Sequence, residues 1–379
     1  MRALDILVAG GGIGGLTAAR ALRRAGHHVT VAERSPGPPA TGAGIVLAPN
    51  ALHVLAALGV DLSEHSHPLP SFDLANADGT VLRRIRPRHP AGHREPSRSL
   101  SRSSLHTALH DHLPGEVRFL AGRTVTSVRD TGRKAEVGFA EDPAVHSYDL
   151  VVGADGLRSA VREQLAGPVP LRYSGATCWR GITDNTGFTG AVESWGPGTR
   201  IGAVPLPGRK LYYYLVATAP RRAPEPDWPD GFRRAFAHHR GEAARLFGTL
   251  TEAPPLHHDL EELDTPVWGN GRILLLGDAA HAITPNQGQG AAMAIEDAYA
   301  LALSLDPGAD GAPERYRALR HRRVRRMQLT SRRIGRISHW HSRPARVLRD
   351  TALRRLPRFA AQHQYRALVE PALALLREP

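Results

Sequence analysis

"LDILVAGGGIGGLTAARALRRAGHHVTVAE" occupies Leu4–Glu33, and its reading decides the fold. Its first six residues, 4–9, form a short apolar run of the kind that makes a buried parallel strand. Residues 16–26 place apolar side chains at helical spacing and stop at Gly26. Residues 28–33 read as a second strand, and the three pieces make a βαβ unit about thirty residues long. Between strand and helix lies "GGGIGG", which sets Gly10, Gly12 and Gly15 in G-x-G-x-x-G register; Glu33 ends the second strand. Gly10 permits the tight turn. Gly12 lets the backbone approach a pyrophosphate, and Gly15 lets the helix pack closely on the strand. The helix N-terminus, entered through Ile13 and Gly14, faces the negative charge. Glu33 can accept hydrogen bonds from a ribose 2′-hydroxyl, so the bound moiety should be adenosine without a 2′-phosphate. A Gly-rich loop with no ligand is the alternative, and the surrounding strand, helix and acid argue against it.

The chain has 379 residues, a length that suits two packed domains or one large α/β body. A hydrophobic content of 41% supports a real core, and the 38 glycines and 30 prolines show no repeat. The net charge of +13 is almost wholly arginine, since Lys134 and Lys210 are the only lysines. Such a bias marks coding composition as readily as function, so it does not argue for nucleic acid, although excess charge helps to bind an anionic dinucleotide. Cys178 is the single cysteine, which excludes an intramolecular disulfide and a thiolate metal cage and fits a reducing cytoplasm. The apolar N-terminus is broken by glycines and suits a phosphate loop better than a secretory signal. The uncharged run 39–60 is interrupted by Pro49, Asn50 and several glycines, which argues against a membrane span.

Further along, 50–59 reads as a helix capped by Asn50 and ended by Gly59, and 103–113 as a helix with serines at its start. Strands are expected at 148–156 and 272–278, in the same sheet as the first two. The region 171–216 alternates as β-structure with turns at "GPGT" and "PGRK", a second and largely antiparallel sheet. The segment 71–85 looks like a hairpin that joins this second sheet despite its early position. From 314 the chain is helical and basic: residues 315–358 hold 16 arginines against one acid, Asp350. A solvated helical face is the plain reading. Contact with an anionic membrane surface, an acidic partner or nucleic acid is the alternative, nucleic acid being the weakest because no aromatic platform accompanies the arginines. The His pairs at 27–28, 238–239 and 257–258 and the pair His339 and His341 show no metal geometry, so no metal is assigned.

Two downstream motifs choose between nicotinamide and flavin. "DLVVGADGLRSAVR" (149–162) puts Asp155 and Gly156 after a strand, and "GRILLLGDAAHAITPNQGQGAAMAIEDA" (271–298) puts Asp278 after another. With "GGGIGG…E" these resemble the three fingerprints of the class A FAD-dependent monooxygenases, the para-hydroxybenzoate hydroxylase-like family. Further matches are "GAGIVLAPNALHVLAALG" (42–59), "RSSLHTAL" (102–109), "CWRG" (178–181) and "WGPGTRIGAVPL" (195–206). The resemblance covers nearly all of 1–340, in the right order. It implies an α/β fold with a Rossmann-like FAD-binding domain made of 1–70, 100–170 and 266–305. A mostly antiparallel β-sheet substrate domain would take 71–99 and 171–265, and a basic helical C-terminal region 306–379.

The resemblance also implies roles. Gly10 to Gly15 and Glu33 would hold the ADP half of FAD, with Arg34 beside the adenosine and Arg102 along the phosphate-ribitol side. Val125 would touch adenine through its backbone. Asp155 and Gly156 would support the pyrophosphate region, and Asp278 would accept hydrogen bonds from the ribitol. Gly44, Ile45 and Val46 would also touch the cofactor. Pro285, Gly288, Gln289, Gly290, Ala291 and Ala292 would line the isoalloxazine, and the backbone N–H groups of 290–292 could stabilise negative charge at its N1–C2=O edge. Asp278 could instead cap the following helix, and Arg102 could be one surface arginine among many. No second G-x-G-x-x-G exists for NAD(P)H, which in this family binds transiently as the electron donor.

The implied chemistry is hydroxylation of an aromatic, or epoxidation of an unsaturated, small molecule by O2 through a C4a-hydroperoxyflavin, which must be kept dry. Arg180, Trp195, Tyr212 and Tyr214 are the substrate-side candidates, with Pro285 shared between cofactor and substrate. Tyr212 and Tyr214 fall on one strand face, either pocket or core. Arg180 either binds an acidic substrate or plays a structural part, and His281 is either a packed turn residue or a base. The rivals are a flavin-dependent reductase of unsaturated lipid-like substrates and a flavin-bearing binding or regulatory protein. A halogenase lacks its W-x-W-x-I-P signature here.

Overall fold

A computed structural model describes residues 2–37, 43–86, 96–251 and 253–378. The first strand runs over Asp5–Ala9 and sits inside a six-stranded sheet. His28–Glu33 and Leu150–Gly153 flank it in parallel, Ile6 lying opposite both Val29 and Leu150. Arg118–Ala121 extends the sheet beyond one, and Ile273–Leu275 beyond the other, again in parallel. The short Gly269–Asn270 strand closes that edge antiparallel. All the strands expected for this sheet are therefore in it.

Period-2 alternation hands the two faces to different partners. Ile6, Val8, Val31 and Val152 pack against the Ile13–Arg24 and Gly290–Leu305 helices through Ala18, Leu22, Met293 and Leu301. Leu7, Ala9 and Val151 pack on the opposite side against Val128, Val137 and Tyr148. Those three residues belong to an antiparallel three-stranded sheet of Val125–Asp130, Ala135–Phe139 and Asp142–Tyr148.

The second sheet has seven strands. Leu171–Asp184 pairs with Leu256–Leu263 on one side and Lys210–Thr218 on the other. Thr199–Leu206 and Ala191–Trp195 follow, then the hairpin Phe72–Asn76 and Val81–Ile85 at the far edge. The hairpin does join this sheet; residues 87–95 of the stretch expected beside it lie outside the described residues. One face buries Trp179, Ile201, Ala203, Tyr213 and Leu215 beneath Phe232, Phe236 and Leu246. A small sheet of Gly44–Leu47, Ser97–Ser101 and His67–Leu69 lies between the two large ones: Ser99 Oγ reaches Pro205 O at 2.5 Å, and Gly44 packs against Tyr212.

Three expectations are corrected. Asn50 does not cap a helix: the helix is Pro49–Ala57, its cap position is Ala48, and Asn50 is fully buried inside it. The first helix begins at Ile13 rather than 16, because Gly12 is already its cap residue. The 103–113 helix begins at Arg102, and its cap is Ser101, whose Oγ accepts from Ser104 N at 2.9 Å.

The basic tail is a fourth correction, and the largest. It forms helices Ala312–Ser338, Arg343–Arg355 and Arg358–Leu375, but several of its arginines are internal rather than solvated. Arg320, 2% exposed, donates to Asp297 Oδ1 at 2.7 Å and Glu296 Oε2 at 2.6 Å. Arg323 donates to both oxygens of Glu296, at 2.5 and 2.6 Å. Arg332 donates to Glu262 Oε1 at 2.7 Å and so ties the tail to the second sheet. Glu296 and Asp297 are both fully buried, and a buried carboxylate requires such partners.

Burial alone would raise the Asp297 carboxyl, but His281 at 2.5 Å and Arg320 outweigh it and hold its pKa at about 2. A depressed folded-state value means stability that is complete above the ordinary value of 3.8 and lost as pH falls towards 2. Acid titration followed by circular dichroism should show about 2 kcal/mol lost across that window. Arg320→Met should lower stability at neutral pH by roughly 3–5 kcal/mol in urea melts, by leaving buried carboxylates short of a partner. A neutral-pH melt unchanged from wild type would refute the assignment.

Candidate functional site

The glycines of the first loop separate into two kinds. Gly10 has φ +111°, and a Cβ there would lie 2.5 Å from Ala154 O. A Cβ on Gly15 would overlap the Gly10 carbonyl, and one on Gly14 would sit 2.7 Å from Leu276 Cδ1. The chain's own backbone therefore demands glycine at Gly10 and Gly15, whereas at Gly14 the end of the Leu276 side chain would have to move. Gly12 is different: its φ is −75°, it is exposed, and nothing lies within 4 Å of where its Cβ would be. Nothing within the protein requires a bare backbone there, so the requirement points to a ligand approaching from outside.

Glu33 stands beside this loop. Its Oε2 accepts from Gly11 N at 2.7 Å and its Oε1 from Ser35 N at 2.8 Å. Each oxygen keeps a lone pair for a further donor. Arg123 N donates to Glu33 O at 2.9 Å, which brings the start of the Val125–Asp130 strand next to the acid. Arg34 is exposed nearby. Arg102 is exposed at the start of its helix, with its N–H on Ala43 O at 2.9 Å. The same helix sends His106 to Gly11 O at 2.9 Å, a contact to the phosphate loop that sequence reasoning missed.

Asp155 builds its own turn: its carboxylate accepts from Ser159 Oγ at 2.5 Å and Val161 N at 3.1 Å. Gly156 follows with φ +82°. Buried Arg162 then bridges two motifs, donating to Leu157 O at 2.7 Å and to Ala279 O at 2.9 Å. Asp278 does not cap the helix after it. Gly277 occupies the cap position, and Asp278 is exposed with no hydrogen-bond partner among the described residues.

Beyond it, Pro285 and Gly288 are exposed, Gly288 with φ +65°. Gly290 opens the Gly290–Leu305 helix, and the only heavy atom near its Cβ position is Ile283 Cγ1 at 3.9 Å. Met293 N bonds Gln289 O at 2.9 Å, so the N–H groups of Gly290, Ala291 and Ala292 precede the helical ladder and have no acceptor within it. Ala292 departs from expectation. Its side chain is 1% exposed and packs with Leu16 and Leu55, so only its backbone can belong to the ring's surroundings. Gln289 is likewise buried. His281 is a packed residue: it is 1% exposed and held to Asp297.

Arg180, Tyr212, Tyr214 and Trp195 fall on one face of the second sheet. Arg180 lies opposite Tyr214, Tyr214 opposite Gly202, and Gly202 opposite Glu193. Gly44 of the small sheet admits the Tyr212 ring, which a Cβ there would overlap. The four are not equivalent. Tyr214 Oη and Trp195 Nε1 both donate to buried Glu193, which also takes Arg200 Nε at 2.9 Å. Trp195 is 6% exposed and covered by the Arg349 guanidinium, 5.4 Å from its centroid, so it closes the wall rather than lining an open pocket.

Arg200 continues to Asn286 Oδ1 at 2.5 Å, and Asn286 donates to Thr284 Oγ1 and Ser331 O, both at 3.0 Å. This chain fastens the sheet to the 285–287 turn; Glu193, Arg200 and Asn286 escaped sequence reasoning. The detectable signal was Glu193 and Arg200 sitting in strands that are otherwise buried throughout.

Among the described residues Arg180 and Tyr212 pair with no carboxylate; the Arg180 guanidinium has the Cys178 thiol beside it. Arg180 Nε is buried with no acceptor, and no carboxylate pairs with the side chain among the described residues. Burial pushes the Tyr212 phenol up to about 12 against the pull of Arg180, so it remains a neutral donor.

The cradle therefore fits a flavin dinucleotide: a bare-backbone loop at a helix start, an acid with open lone pairs beside it, an unpartnered aspartate and a second glycine turn with free N–H groups. A family profile described as an FAD binding domain matches residues 3–330. The chain is 36% identical over 378 residues to 2-heptyl-3-hydroxy-4(1H)-quinolone synthase of Pseudomonas aeruginosa, covering 96% of this chain and 97% of that protein. It is 36% identical over 364 residues to aurachin C monooxygenase/isomerase of Stigmatella aurantiaca, covering 93% and 94%. Klebsiella pneumoniae HpxO, solved with FAD and uric acid, superposes with a TM-score of 0.85 at 26% identity, over 97% of this chain and 96% of that one. The chain belongs to this family of FAD-dependent aromatic hydroxylases and monooxygenases.

The two kinds of glycine give a direct test. Gly12→Ala and Gly290→Val should weaken FAD binding at least tenfold in fluorescence titrations while the apoprotein melts as wild type does. Gly15→Ala should lower the apoprotein's stability by about 1–3 kcal/mol or more through overpacking. Equal melting losses in all three would contradict the division.

Proposed function

We propose that this FAD-dependent monooxygenase hydroxylates a fused heteroaromatic ring of the 4-quinolone type, at the ring carbon next to its polarised carbonyl. The observation that carries this reading is Arg180: a mostly buried cation with no carboxylate partner, beside the neutral Tyr212 phenol, on the sheet face that looks towards the flavin turn. The names of the two 36% identical relatives, a 3-hydroxy-4-quinolone synthase and an aurachin C monooxygenase, support the ring class.

In this reading Gly10, Gly12, Ile13, Gly14, Gly15, Glu33 and Arg34 hold the ADP half of FAD, and the Val125 backbone borders the adenine. Arg102 and Asp278 serve the phosphate-ribitol stretch, with Asp155 and Gly156 shaping the loop behind it. Gly44, Ile45, Val46, Pro285 and the 288–292 backbone surround the isoalloxazine. When bound, FAD supplies reduction by NAD(P)H and activation of O2. Substrate, O2, NAD(P)H and a proton give hydroxylated product, NAD(P)+ and water. Arg180 stabilises the negative charge on the carbonyl oxygen in the ring's enolate-like resonance form, which raises electron density on the ring carbon next to the carbonyl, the one that accepts oxygen. Tyr212 donates its hydroxyl proton to the same oxygen as a hydrogen bond and fixes the ring plane. Trp195, Tyr214 and Glu193 form the dry wall behind.

Purified protein should oxidise NADH or NADPH faster with 2-alkyl-4-quinolones, consume O2 and yield a product heavier by one oxygen atom. Arg180→Met should cut kcat/KM on the order of 100-fold. Stimulated NAD(P)H oxidation without O2 uptake would instead identify a reductase, and an unaffected Arg180→Met enzyme would remove this side chain from the site.

A weak contact with anionic membrane is a second part of this reading. On the Arg343–Arg355 helix Val347 is 57% and Leu348 67% exposed, with Arg343 before them and Arg354 and Arg355 after. No helix among the described residues is long and apolar enough to cross a membrane, so such contact would be with the surface. Flotation with phosphatidylglycerol vesicles, but not with phosphatidylcholine vesicles, is expected, and Leu348→Glu should abolish it. Equal flotation with both lipids would exclude charge as the cause.

A further inference from the structure

Asn50 has no part in any role described so far, yet its side chain is placed between the tail's ion cluster and the flavin-facing turn. It is fully buried. Its Nδ2 donates one hydrogen to Glu296 Oε1 at 2.7 Å and the other to Gln289 Oε1 at 3.1 Å. Its Oδ1 is buried with no partner, a cost that a residue serving only to fill space would not carry. Glu296 is itself immobile, because Arg320 and Arg323 both clamp it. Arg323 in turn donates to Leu368 O at 2.7 Å in the last helix. A continuous path therefore runs from Leu368 through Arg323, Glu296 and Asn50 to Gln289.

Gln289 is the cap residue of the Gly290–Leu305 helix and immediately precedes the three free N–H groups. It has no side-chain bond to its own helix start, so Asn50 is what fixes its rotamer. We propose that Asn50 is a positioning residue for the flavin: it transmits the anchorage of Glu296 to Gln289 and thereby sets the direction of the Gly290, Ala291 and Ala292 N–H groups. The inference rests on the placement of the flavin's N1–C2=O edge at that turn. Aimed correctly, those N–H groups favour the anionic reduced flavin over the neutral oxidised one. A purely structural residue would change stability without changing that balance.

A double-mutant cycle separates the two roles. Asn50→Leu, Gln289→Met and the double variant are each compared with wild type for FAD affinity of the apoprotein, midpoint potential of the holoprotein and melting temperature. Each single variant should weaken FAD about fivefold, the worth of one hydrogen bond, and move the potential to a more negative value. The double variant should be no worse than either single one. Additive losses, or an Asn50→Leu protein with wild-type affinity and potential, would overturn the proposal. If Asn50→Leu does not fold, Asn50→Ser, too short to reach Gln289, replaces it in the same cycle. Wild-type protein that binds no FAD would defeat the flavin reading itself; wild-type protein that binds FAD while the cycle is additive defeats only the role of Asn50.

Discussion

Arg320 is the residue on which the architecture turns. Its guanidinium grips two consecutive carboxylates, Glu296 and Asp297, from within the protein. Those acids lie less than two turns from the start of the Gly290–Leu305 helix, and both are withdrawn from water. Two adjacent buried charges cannot survive unless something outside the helix neutralises both. The planar fork of an arginine can do so where a lysine's point charge cannot reach both. The Ala312–Ser338 helix is thereby fastened across the Gly290–Leu305 helix, and Asp297 Oδ2 still accepts from Gly277 N at 3.0 Å and from His281. One side chain thus governs how the tail, the sheet's last strand and the start of the Gly290–Leu305 helix fit together.

The second sheet divides its labour by alternation. Side chains on one face are aromatic and aliphatic and bury a core of their own. Side chains on the other are Cys178, Arg180, Tyr212, Tyr214, Glu193 and Arg200, polar groups packed in a row above the small sheet. Glu193 absorbs three donors and so removes Tyr214, Trp195 and Arg200 from circulation. It leaves Arg180 and Tyr212 without a carboxylate partner among the described residues. The contrast between these groups and those bound to Glu193 separates the residues of that face more sharply than residue type does.

Legibility in the sequence followed locality. The βαβ unit, its glycines and Glu33 could be read because each residue's task is set by neighbours within thirty positions. The edge hairpin Phe72–Ile85 and the alternation of 171–216 were legible for the same reason. The small sheet through Val125–Tyr148 was not, because its outer face is exposed and its strands carry His146, Arg129 and Glu136 among few apolar residues. Asn50 was misread as a cap and Arg320 as solvated because the meaning of a buried polar residue lies in a partner far along the chain. For Asn50 that partner is 239 residues away, and for Arg320 it is 23. Asp278 was open to a capping reading because a helix start invites an acid, and only its place after Gly277 removes that reading.

The position of Ile273–Leu275 has a consequence for how the protein is made. This strand completes the central sheet beside Leu150–Gly153, but all of the second sheet's long strands are inserted between the two. On a ribosome the phosphate loop emerges first and its sheet stays open at one edge while the inserted strands are synthesised. That exposed edge, lined with Val151 and Val152, must be shielded until the last strand arrives. The sheet that carries the phosphate loop is therefore completed only after the second sheet's long strands have been made.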